Sequence, residues 1–134
     1  MSKNEVSTHV NEVNRISSGS EFRGTLNSNA DIRIDGFFEG KITTTGKLVI
    51  GDSARLIGEA VAKSCDVWGE MDGKLLLKEY FGLRKTGTFK GKIACNKVFI
   101  EEGGVFNGSC KIISEDEFEE SIKALAAAEN KQIM

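Results

Sequence analysis

In one register that recurs along the chain, a large apolar residue stands two positions before a glycine. The pairs are Phe22–Gly24, Phe38–Gly40, Leu56–Gly58, Met71–Gly73, Phe89–Gly91 and Phe106–Gly108. Successive glycines lie 16, 18, 15, 18 and 17 residues apart. Two positions after each glycine come Leu26, Ile42, Ala60, Leu75, Ile93 and Cys110. Four after come Ser28, Thr44, Ala62, Leu77, Cys95 and Ile112. Two further columns precede the turns: Ile32, Leu48, Cys65, Phe81 and Val98, then Ile34, Ile50, Val67, Leu83 and Ile100. Within each unit these positions alternate with polar or variable ones, the period-2 mark of a strand with one buried face.

The uneven spacing has a local cause. From Ile50 to Gly58, Leu83 to Gly91 and Ile100 to Gly108 is eight residues, but from Ile34 to Gly40 and Val67 to Gly73 it is six. The same turn loses residues both times while the flanking columns survive. A turn can shorten; a buried column cannot slip by one without turning its side chains outward. Helical repeats, propeller blades and leucine-rich repeats all need a longer period. The pattern therefore predicts an all-β parallel β-helix of about six coils. Coils stacked about 4.8 Å apart would stand on the order of 29 Å tall, each closing its apolar interior against its neighbours. The expected core columns include Phe38, Leu56, Met71, Phe89, Ile34, Ile50, Val67, Leu83 and Ile100. Gly24, Gly40, Gly58, Gly73, Gly91 and Gly108 are expected at corners that need positive φ or close backbone approach. The alternative is hairpin turns of an antiparallel barrel; against it, every unit reads in one direction.

The run of F-x-G-x-[IL] units, each followed by a triplet such as IRI, LVI or VFI, resembles the bactofilin family over roughly Ile16 to Ile113. The resemblance implies a right-handed β-helix of six windings. It also implies a bacterial cytoskeletal protein that assembles without nucleotide into non-polar filaments, by contact between like ends. Family members position cell-wall enzymes or organise other polar machinery. An open solenoid end bears unpaired strand edges and apolar residues unless a polar cap covers it. Phe22 and Phe106 are accordingly expected on the two terminal coils, each close to a polymerisation interface.

With 134 residues the chain suits one domain with a modest core. Its three cysteines are an odd number for a disulfide framework, and a reducing compartment is the simplest setting. Net charge is −2, with lysines and arginines scattered rather than clustered, so no nucleic-acid surface is expected. A hexapeptide-repeat acyltransferase is the main enzymatic rival, but it needs a fixed histidine base. The single histidine, His9, lies in a polar flank. No G-x-x-x-x-G-K-[ST] phosphate loop occurs. The adjacent Glu101 and Glu102 read as a solvated turn. Cys65, Cys95 and Cys110 form no C-x-x-C pair and read as small core side chains. No catalytic residue, metal site or cofactor is expected.

Residues 1–15 read as a flexible polar tail with too little apolar or basic character to bind a membrane directly. Residues 16–113 form the polymerisation domain, and 114–134 an acidic helix or tail. Ser114 and Glu117 make a capping box. Acids crowd the first turn, as the helix dipole favours. Phe118, Ile122 and Leu125 share one face, which predicts a helix over about 115–130 that would cap one end if it docked there. The chain reads as a non-enzymatic scaffold of the cytoplasm and cytoskeleton, reaching the inner face of the membrane through partners. Its first partner is itself; cell-wall enzymes or membrane proteins are the others, with no nucleotide. A non-polymerising β-helical adaptor is the first alternative, the acyltransferase the second.

Overall fold

In the computed structural model, which describes residues 12–133, every coil is one short strand followed by one long strand. The short strands are β1 (Val13–Ile16), β3 (Asp31–Ile34), β5 (Lys47–Ile50), β7 (Ser64–Val67), β9 (Tyr80–Leu83) and β11 (Lys97–Ile100). The long ones are β2 (Glu21–Ser28), β4 (Phe37–Thr44), β6 (Arg55–Ala62), β8 (Glu70–Leu77), β10 (Thr88–Cys95) and β12 (Val105–Ile112). Short strands pair only with short and long only with long, giving two parallel sheets of six strands. A helix, α1 (Glu115–Ile133), follows the last coil.

The ladder pairs the sequence columns residue for residue. Ile32 faces Leu48, Leu48 faces Cys65, Cys65 faces Phe81, and Phe81 faces Val98. Gly24, Gly40, Gly58, Gly73, Gly91 and Gly108 are neighbours up the stack. The longer turns each close a tight turn with a backbone bond, as from the Ala54 N–H to the Gly51 carbonyl at 2.9 Å. Where the turn shortens, at Asp35–Gly36 and Trp68–Gly69, backbone N–H groups bond instead to Ile16 and Ile50 on the coil below. The turn varies in length and the register does not.

The interior is one apolar column. Phe38, Leu56, Met71, Phe89, Ile34, Ile50, Val67 and Leu83 are all buried in it. Phe22 stacks on Phe38 at 5.0 Å and Phe106 on Phe89 at 5.5 Å between ring centres. Two expected core positions are corrected. Ile100 is 47% exposed and Cys110 is exposed, although both stand in apolar columns. They belong to the last coil, and no seventh coil among the described residues covers them. The first strand starts at Val13 rather than Ile16, and Arg15 pairs with Arg33 within it. Residues 1–11 of the expected flexible tail, with His9, lie outside the described residues.

Candidate assembly interface

Among the described residues, strands β11 and β12 have a neighbour on one side only. Their outer edges therefore carry backbone groups with no partner strand, the usual template for pairing with another chain. The side chains of this coil point the same way as those below, but they meet no upper neighbour. Val98, Ile100 and Ile112 are 38%, 47% and 59% exposed, and Val105, on the outward face in line with Thr88 and Glu70, adds a further exposed aliphatic beside them. Phe106 is half-buried, its lower face on Phe89. A contiguous apolar surface on an open sheet end marks a site of association.

The opposite end differs in kind. Ile16, Phe22 and Leu26 are half-buried against the core. The two columns that end in Val98 and Ile112 begin here with Asn14 and Ser28. The Asn14 Nδ2 group donates to Ser28 Oγ at 2.7 Å, and the Ala30 N–H donates to the same oxygen at 3.0 Å. A polar latch thus closes one corner of the first coil. Phe22 and Phe106 lie on these opposite terminal coils, in β2 and β12.

Helix α1 does not lie over either end. Its capping box forms reciprocally: Ser114 N–H donates to Glu117 Oε1 at 3.0 Å, and Glu117 N–H donates to Ser114 Oγ at 3.1 Å. Backbone and side-chain bonds from Ser114 keep the exposed Glu117 carboxylate below its usual pKa. Phe118 is buried, and with Ile122 it faces Thr43–Thr45 and Val61–Lys63. Ala124 and Leu125 approach Val61, Leu76 and Ala94. The helix therefore runs along the flank, across the outer face of β4, β6, β8 and β10. The apolar outward positions Val61, Leu76 and Ala94 explain why: the equivalent residues on earlier coils are Asn27 and Thr43.

One cluster of ionisable groups has the look of a catalytic constellation. The Asp66 side chain, 4% exposed, meets Lys47 Nζ at 2.9 Å and Arg84 Nη2 at 2.8 Å. The Tyr80 hydroxyl donates to it at 2.9 Å. Arg84 lies under the Phe99 ring at 4.7 Å, and Tyr80 stacks on Phe99 at 5.7 Å. Every member serves another, so the cluster clamps the outer faces of β5, β7, β9 and β11. Burial pushes the Asp66 carboxyl upward, but hydrogen bonds from Lys47, Tyr80 and Arg84 outweigh it and hold the pKa below the usual value. A depressed carboxylate contributes stability above its unfolded pKa of about 3.9 and loses it as pH falls through the folded value. Asp66→Asn should therefore cost about 1–3 kcal/mol at neutral pH. The gap to wild type should close on acidification below about pH 4. Urea unfolding at the two pH values checks this; a gap that persists in acid counts against it.

The thiols of Cys65 and Cys95 are buried, and burial pushes the Cys95 pKa up to about 12. Among the described residues no group of acids, cysteines and histidine is arranged to hold a metal. No described helix is long and apolar enough to cross a membrane. The sequence columns placed Phe22 and Phe106 at the ends but missed Val98 and Ile112 as surface. The last position in each column was the available signal.

The chain matches the bactofilin family model, described as polymer-forming cytoskeletal, over residues 14–111. It is also similar to a solved chain from the cryo-EM reconstruction of Thermus thermophilus bactofilin double helical filaments. The TM-score is 0.68 and the identity 25%, covering 75% of this chain and 99% of that one. No curated protein matches.

Proposed function

From the premise that this chain belongs to the bactofilin family of polymer-forming cytoskeletal proteins, we propose that it assembles end to end, without nucleotide, into non-polar filaments that act as a scaffold. The observation that carries this reading is the uncovered apolar last coil, with Val98, Ile100 and Ile112 about half exposed on an open strand edge. Association there would extend the parallel ladders or join them through a two-fold contact, and either would satisfy the free edge groups. The double helical filaments of the Thermus relative support assembly into a polymer. Partners would be cell-wall enzymes or membrane proteins held along the polymer flank, at the cytoplasmic face of the membrane. The role is structural, with the chemistry left to those partners.

Negative-stain images of the pure protein in nucleotide-free buffer test the assembly. Filaments should form at micromolar concentration, and adding nucleotide should not change their number. A protein that stays single at high concentration would leave the adaptor reading in its place.

A further inference from the structure

The two end faces are chemically unequal. We infer that the C-terminal face is the tighter self-association surface, so that two copies join first through their last coils and these dimers then link more weakly through their first coils. This rests on the self-assembly proposed above and adds its order.

Among the described residues the backbone edges of the two faces are alike, each being one short and one long strand with a single neighbour. The difference lies in the side chains. At the last coil, Val98 and Ile112 end their columns as exposed aliphatics. At the first coil the same columns begin with the hydrogen-bonded pair Asn14 and Ser28. That bond uses only part of the carboxamide's capacity, and its remaining groups need water or another polar partner.

Stacking head to tail would set Val98 over Asn14 and Ile112 over Ser28. The apolar cover would strip water from the polar pair and return no hydrogen bond, a cost in free energy. Like-end stacking avoids the conflict. Last coil on last coil buries apolar surface against apolar surface. First coil on first coil sets polar pair near polar pair, where bridging water can serve both. The second contact is therefore wetter and gains less from burial. The Asn14–Ser28 latch thus discriminates against polar stacking and also weakens the face that bears it.

Phe22 and Phe106 occupy equivalent places on opposite ends, so the same substitution blocks one face at a time. The Phe22→Arg protein keeps the last coil, and the Phe106→Arg protein keeps the first. Sedimentation across a dilution series should show dimers of Phe22→Arg persisting to concentrations at least about a hundredfold lower, because each contact of last coils buries four more partly exposed aliphatic side chains, two from each copy. Equal dimer strengths, or a tighter dimer of Phe106→Arg, would overturn the inference. If circular dichroism shows either protein unfolded, Ile16→Lys and Ile112→Lys replace the pair under the same criterion. A wild-type chain that remains monomeric throughout would defeat the assembly reading itself, a result distinct from reversed order.

Discussion

An arginine in place of Ile112 is expected to abolish filaments while leaving the solenoid folded. Ile112 is 59% exposed, and its side chain packs on one side only. Replacing so exposed a residue changes the stability of the single molecule by about 0.5 kcal/mol or little more. In a filament the same residue sits where two coils meet. A like-end contact brings two copies of the substitution to one interface, so two guanidinium groups must lose water together. Each desolvated, unpaired charge costs several kcal/mol, and every 1.4 kcal/mol is about tenfold in affinity. Electron microscopy should show no filaments, with the far-UV spectrum and thermal midpoint close to wild type. Leu77→Arg is the contrast. Leu77 stands in the same column but is fully buried, and an arginine there should prevent folding. Normal filaments from a folded Ile112→Arg protein would remove the end face as the assembly surface. Phe106 is the less clean choice, because its ring also contacts Phe81 and Phe89 inside the molecule.

The contrast between Leu77 and Ile112 shows what the repeat reveals and what it hides. Parallel stacking puts every coil in nearly the same environment, so side-chain direction repeats and can be read as columns. That is why the Phe81–Cys65 and Gly58–Gly73 pairings follow from the sequence. Direction is not burial, however. Cys110 and Ile100 point as their column mates do, yet are exposed, because cover depends on place in the stack. The helix shows the same limit. Phe118, Ile122 and Leu125 announce that a face needs covering, but not which surface covers it. The flank was chosen by Val61, Leu76 and Ala94, three outward positions on separate coils. The Asp66 clamp was hidden for a related reason. Lys47 and Arg84 reach it from the coils on either side, and Gly82 leaves room for the Phe99 ring to lie beside it. No local motif encodes that meeting.

Substituting Gly73 by alanine should cost roughly twice as much stability as Gly24→Ala. Both residues have strongly positive φ, +150° and +143°, which an L side chain adopts only under strain. That strain costs about 1–3 kcal/mol at either position. Their surroundings separate them. A Cβ on Gly73 would collide with the carbonyl oxygen of Gly58 and lie 2.7 Å from its carbonyl carbon. The obstacle is backbone held in the sheet, so no rotamer change can clear it. Opening the ladder there would add about 1–3 kcal/mol of overpacking. Gly24 lies on the first coil with no coil beneath it among the described residues, where its Cβ would meet only the Phe22 ring at 3.6 Å. Against a domain stability of about 5–15 kcal/mol, the larger sum is a substantial share. Urea unfolding should be measured in the Ile112→Arg background, since polymerisation would otherwise add its own stabilisation. Equal losses at the two positions would mean that the stack yields at its glycine corner. Close approach between coils would then not be the reason for a glycine at that corner, leaving only its positive φ.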